Sequence, residues 1–259
     1  GNYNVCIGYD IDVPVATADK QLVIGADDVT WISGTSTGNV GIGTTAPAAK
    51  LDVQSTNPDI RLTDDRAVVS GGDTLGTISF YSKDASMGGG YGITASIQVK
   101  ANTLSGGIPD GDLCFNNATD GGVSEKMRIQ ATGNVGIGTT APAAKLDVQS
   151  TNPDIRLTDD RAVVSGGDTL GTISFYSKDA SMGGGYGITA SIQVKANTLS
   201  GGIPDGDLCF NNATDGVVSE KMRIQATGAV GIGTATPTKG TLHIQGQMGT
   251  NTVPIGHAL

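Results

Sequence analysis

The chain has 259 residues, with 40 glycines, 4% aromatic side chains and a formal net charge of −9. Glycine stands at about twice its usual share while core-filling side chains are scarce, which excludes one bulky interior and points to several small units with thin cores. The acidity is spread along the chain, −3 in each of two full repeats, −4 over residues 1–36 and +1 over residues 227–259, which argues against nucleic acid or an anionic membrane as a partner.

Residues 1–36 form a first module in which CIGYDI, QLVIG and VTWIS read as short strands between polar turns. Trp31, the only tryptophan, is expected to anchor the core or an inter-chain contact of this module. Residues 37–131 then recur as residues 132–226 with a single difference, Gly122 against Val217. A partial third copy and the C-terminal end occupy residues 227–259, where TLHIQ replaces KLDVQ. Identity this high means that whatever one unit builds is built at least twice.

Within a unit the period of two is clear. Tyr91, Ile93, Ala95, Ile97 and Val99 alternate with Thr94, Ser96, Gln98 and Lys100, predicting a strand with one wet, polar face. Val40 with Ile42, Leu51 with Val53, Ile60 with Leu62, Ile78 with Phe80, Leu113 with Phe115 and Met127 with Ile129 give six more short runs, hence about seven strands per unit. Ser70-Gly71-Gly72-Asp73, Met87-Gly88-Gly89-Gly90, Ser105-Gly106-Gly107, Pro109-Asp110-Gly111-Asp112 and Asp120-Gly121-Gly122 supply the turns between them. Short strands at this spacing predict an all-β chain of tandem β-sandwich-like or related antiparallel units joined by glycine-rich segments. One helical turn is expected at Thr45-Ala46-Pro47-Ala48-Ala49-Lys50, recurring at Pro142 and Pro237.

The run Gly38-Asn39-Val40-Gly41-Ile42-Gly43-Thr44-Thr45-Ala46-Pro47, followed by Lys50-Leu51-Asp52-Val53, resembles a joint motif of bacteriophage tail-fibre proteins. In the next unit it is preceded by Glu125-Lys126-Met127-Arg128-Ile129, similar to the segment that usually stands before that motif, and the likeness spans roughly residues 37–245. The resemblance implies an elongated homotrimeric fibre in a virion, bound to other tail or baseplate proteins and touching a host glycan or protein receptor. Gly41 and Gly43, lacking Cβ atoms, would let three backbones approach one axis while Val40 and Ile42 fill the space between them. The same role falls to Val135, Gly136, Ile137 and Gly138, and to Val230, Gly231, Ile232 and Gly233. Ile42→Asp combined with Ile137→Asp is expected to dissociate the trimer. Proteins of this kind often precede an endosialidase-type intramolecular chaperone that cleaves itself off. Nothing in this chain resembles that domain, and Leu259 would suit a processed end. A bacterial trimeric surface adhesin would use the same physics on a cell envelope, and a polysaccharide-degrading tailspike is a further alternative.

Enzymatic chemistry is not expected. A nucleophile needs a base, and the only histidines, His243 and His257, lie outside both full repeats. His243 stands where Asp52 and Asp147 stand and reads as solvent-facing. Asp64-Asp65 reads as a solvated turn rather than a glycosidase pair, since neighbours on a strand face opposite ways. Neither metal nor cofactor is expected. Cysteine spacing fits no zinc site, and Asp110, Asp112, Asn116 and Asp120 lack the pattern of a calcium loop. Cys6, Cys114 and Cys209 read as small buried thiols, two of them at the same position in successive repeats. Met87-Gly88-Gly89-Gly90-Tyr91-Gly92 is no phosphate loop, because no Lys-Ser/Thr follows. It reads as a hairpin tip, and Met87 and Tyr91, with Met182 and Tyr186 in the second repeat, are candidates for receptor contact. No stretch resembles a signal peptide, and no apolar run approaches the ~18 residues of a membrane span.

Overall fold

A computed structural model of the chain describes residues 4–10, 21–26, 29–83, 92–102, 110–120, 122–178, 187–197, 205–238 and 241–246. These residues contain strands, turns and bends and no helix, so the all-β class read from the alternation is borne out. Two compact units divide the chain, Gly1–Pro153 with two sheets and Asp154–Leu259 with one.

The first sheet holds five strands in sequence order: β1 (Val5–Ile7), β2 (Leu22–Ala26), β3 (Val29–Gly34), β4 (Val40–Ile42) and β5 (Leu51–Val53). The second runs β6 (Thr74–Ser82), β7 (Gly92–Ala101), β8 (Gly111–Thr119), β9 (Gly122–Ile129), β10 (Val135–Ile137) and β11 (Leu146–Val148). The third repeats it with β12 (Thr169–Ser177), β13 (Gly187–Ala196), β14 (Gly206–Thr214), β15 (Val217–Ile224), β16 (Val230–Ile232) and β17 (Leu242–Ile244). The sheets therefore do not break where the sequence repeat was drawn. The joint motif, at the start of each sequence repeat, closes the sheet that the preceding residues began.

Each larger sheet is an antiparallel meander that ends in a parallel pair, β10 with β11 and β16 with β17. The meander follows from turn chemistry. Between β14 and β15 only Asp215 and Gly216 intervene, with φ of +50° and +77°, the two left-handed positions of a type I′ turn, whose twist matches the strands it joins. The parallel pair is less usual, since such a crossover normally takes a dozen residues or more. Here eight residues, 43–50 or 138–145, suffice, because each joined strand has three residues and the return spans only about 10 Å.

That crossover is not the expected helical turn. Its backbone is held from outside instead: Val40 N donates to Lys50 O at 2.9 Å, Gln54 N to Ile42 O at 2.9 Å and Ala48 N to Asp52 Oδ2 at 2.8 Å. With Ala48 N committed to the Asp52 carboxylate and Lys50 O to Val40 N, the segment is pinned to the neighbouring strand and holds no helical turn. Ile60 with Leu62 also gives no strand, so each full sheet has six strands rather than about seven. The pair sits in an extended segment beside the sheet edge, where Leu62 covers the space left by Gly76, its Cβ 3.3 Å from where a Gly76 Cβ would lie. The described residues of one sequence repeat thus go to two sheets, β4 and β5 to the first and β6 to β9 to the second.

Candidate functional site

Strand register assembles the alternating residues into rows across each sheet. In the second sheet one row runs Ile78, Ile97, Phe115, Met127, Ile137 and Val148, and the row two positions away runs Gly76, Val99, Leu113, Ile129, Val135 and Leu146. Both rows lie on one face, because residues two apart on a strand point the same way. The third sheet carries the same rows, changed only by Ile244 in place of Val148. In the first sheet they are Ile7, Ile24, Ile32, Ile42, Val53 and Val5, Leu22, Gly34, Val40, Leu51.

This apolar face is open. Ile78 is 53% exposed and Leu146 55%, and no residue of its two rows is buried, whereas Val23, Cys114 and Cys209 on the other face are fully buried. Beside the edge strand, Ile60 and Leu62 with Leu75, Ile78, Ile97 and Val99 frame an open cleft of about 300 Å³, and the second copy has one of about 310 Å³.

The opposite face, read from sequence as the wet one, is covered at its centre and exposed toward the edge at Thr77, Ser79 and Thr94. Between the two apolar rows runs Thr77, Gln98, Cys114, Arg128, Gly136 and Asp147, and at its centre Cys114 is 0% and Asp112 1% exposed. Asp112 accepts hydrogen bonds from Arg128 Nη1 at 2.7 Å, Asn102 Nδ2 at 2.9 Å and Ala131 N at 3.0 Å. Arg128 also grips Glu125, with Nε to Oε1 and Nη2 to Oε2 both at 2.8 Å, and Lys100 Nζ lies 3.8 Å from Glu125 Oε2. The Arg128 bonds hold the Glu125 carboxyl below its ordinary value, against the opposing effect of burial. Burial pushes the Cys114 thiol up to about 11, and Cys209 likewise. The second copy repeats the network with Asp207, Arg223, Glu220 and Asn197. Among the described residues no buried side-chain nitrogen or oxygen lacks a hydrogen-bond partner. Sequence reasoning missed this network because charged residues in an alternating strand read as solvent-facing.

The joint residues divide between the faces. Val40 and Ile42 belong to the open apolar rows, as do Val135 with Ile137 and Val230 with Ile232. Gly41, Gly136 and Gly231 turn the other way and are buried. A Cβ there would collide with the chain's own Thr44 O, Thr139 O or Thr234 O. Gly43, Gly138 and Gly233 have φ of +72°, +75° and +73°, and a Cβ on them would strike Gln54 O, Gln149 O or Gln245 O. The atoms that approach these glycines belong to the same chain, the crossover threonine at Gly41, Gly136 and Gly231 and the glutamine just after the last strand at Gly43, Gly138 and Gly233.

Other expectations fall out singly. Met87, Tyr91, Met182 and Tyr186 lie outside the described residues. Trp31 is 55% exposed and anchors no core among those residues. Asp64 is bound by Arg66, which also pairs with Asp73 at 3.0 Å, fixing a turn. Asp112 and Asp120 stand toward opposite ends of the nine-residue β8, on the order of 25 Å apart, so the four candidate calcium ligands are not brought together. His243 takes over the aspartate's place, accepting from Thr238 N through Nδ1 at 3.4 Å across a crossover one residue longer. Cys114 and Cys209 are buried thiols and Cys6 is exposed.

No protein-family model and no curated protein sequence matches the chain. Among solved structures it is similar to the carboxy-terminal domain of the bacteriophage T5 L-shaped tail fibre with its intramolecular chaperone domain. The identity is 11% and the TM-score 0.35, over 80% of this chain and 67% of that one. It is also similar to that carboxy-terminal domain solved by itself, at 10% identity and a TM-score of 0.33, over 80% and 97%. Likeness of that size leaves function to be argued from the chain's own residues.

Proposed function

We propose that the chain is a structural, non-enzymatic segment of a bacteriophage tail fibre, in which three identical chains cover one another's apolar sheet faces. The observation that carries this reading is the pair of exposed cross-strand rows recurring on all three sheets, beside a polar face that the chain closes by itself. Covering the open part of each half-exposed Ile, Leu, Val, Met or Phe is worth about 1 kcal/mol. That makes on the order of 10 kcal/mol per full sheet, comparable with the stability of a whole domain, and leaves a surplus after the cost of association. An uncovered apolar face on this scale marks an interaction surface rather than ordinary exposure. The number three comes from the joint motif, whose residues resemble those of tail-fibre shafts. In this reading the protein belongs to the outer part of a virion, joined to other tail or baseplate proteins, and presents a tip to a glycan or protein on the host, with Met87 and Tyr91 as contact candidates.

Sedimentation equilibrium tests it. The intact chain is expected to sediment as a trimer, and Ile42→Asp with Ile137→Asp as smaller species. A compact, stably folded monomer of the unaltered chain would overturn the assembly, and an intact trimer in the double variant would remove the joint from the interface. Incubation with host capsule is expected to release no oligosaccharide, and release would return the tailspike reading.

A further inference from the structure

Two of the three apolar faces are interchangeable. Of the twelve row positions in the second and third sheets, eleven hold the same residue, and the twelfth exchanges Val148 for Ile244. A copy displaced by one repeat therefore offers its third sheet to the second sheet of its neighbour with almost no change in packing. Face for face, contacts between the repeats cannot tell the aligned assembly from displaced copies that run on into an open polymer and cover every repeat face, because specificity is a difference between affinities and each covered face packs alike. A displaced copy also leaves faces uncovered at both ends, the condition under which association runs on into open polymers instead of closing.

The first sheet lacks this ambiguity. Its rows contain no Phe and no Met, and its longest strand has six residues where the repeats use strands of nine and ten. Ile24 and Ile32 pair at the centre of one row, and Leu22 faces Gly34 in the other. Set against a repeat sheet, it has no counterpart to Phe115 or Met127 and no strand as long as β6 or β7.

We infer that the first sheet is the register clamp of the assembly: its apolar face accepts the same face of another copy and fixes the alignment that the identical repeats leave free. This rests on the proposed covering of apolar faces by identical chains.

The test uses the full chain with Cys6→Ser and a spin label at Lys126→Cys, an exposed site present once in the second sheet, and reads distances between copies by pulsed electron resonance. Ile24→Asp with Ile32→Asp places carboxylates in the clamp and leaves both repeats untouched. The labelled parent is expected to give one intermolecular distance, the Asp variant that distance plus a longer population, and Ile24→Val with Ile32→Val the parent's single distance. Loss of register has the same readout whether the first sheet unfolds or merely stays unpaired. A single unchanged distance in the Asp variant would overturn the clamp. Loss of association in that variant alone would overturn it too, because the first sheet would then drive assembly rather than align it. Absence of any intermolecular distance in the parent would instead sink the assembly reading, and the clamp with it.

Discussion

The two faces of one sheet solve the same problem with opposite chemistry. On the polar face, Arg128, Glu125, Asp112 and Asn102 close over Cys114 using hydrogen bonds made within the chain. On the apolar face, Phe115 and Met127 stand in register with Ile97 and Ile137 and are left partly open. One face is closed from within the chain, and the other is left half-exposed among the described residues. The usual inference that the apolar side of an alternating strand faces the chain's own core fails here for a physical reason. Among the described residues the apolar rows are left half-exposed, and a buried charge network that satisfies every member is a stable alternative cover for the other face.

The difference can be broken first on the polar side. Asp112→Ala takes the acceptor from Arg128 Nη1, Asn102 Nδ2 and Ala131 N while Arg128 keeps Glu125, and it or its copy Asp207→Ala is expected to cost about 3 kcal/mol or more from those unpaired donors, visible as a lower urea midpoint. An unchanged midpoint would mean that the network adds little. The next largest effect belongs to the crossover. Gly138→Ala asks an alanine to hold a φ of +75° and to push its Cβ into Gln149 O, so at least about 2 kcal/mol is expected from the strained backbone alone. If Gly138→Ala left thermal stability intact, the crossover would have to be looser than its hydrogen bonds describe.

Much of this was legible in the residues. Every strand carries large apolar side chains two apart, as in Leu113 with Phe115 or Met127 with Ile129, and the turns sit at Gly72, Asp120 and Gly216, where positive φ needs them. Two things were not legible. Ile60 and Leu62 alternate like a strand, but whether an extended segment gains a ladder partner depends on which edge is free, and sequence does not encode edges. Asp112 and Arg128 are sixteen residues apart, and only the antiparallel pairing of β8 with β9 brings them to one side, while the bulge between Phe115 and Asn116 turns Glu125 to the same side. Burial of a charge is a property of that pairing, not of either residue.

Acid should separate the faces by a smaller margin. The Glu125 and Glu220 carboxyls are held below their ordinary value of 4.5 by Arg128 and Arg223. A depressed folded value means that their contribution is complete above about pH 4.5 and is lost as the pH falls through the folded value. Melting temperature is therefore expected to drop below that point. In Glu125→Gln with Glu220→Gln the drop should be shallower there, since neutral amides bind no proton. An unchanged slope would assign the acid sensitivity to other carboxylates.

The gentlest probe leaves the sequence alone. With burial pushing both repeat thiols up to about 11, only about one in a thousand is thiolate at pH 8, and both are sealed under the polar network. Cys6 is exposed, so iodoacetamide is expected to add one label per native chain and three after urea. The slow second and third additions then measure how often the polar face opens, and Asp112→Ala should speed labelling at Cys114 while leaving Cys209 at its native rate. If Cys114 reacted as fast as Cys6 in the unaltered protein, the polar face would be as open as the apolar one. The contrast between a side closed by its own chain and a side left open would then be gone.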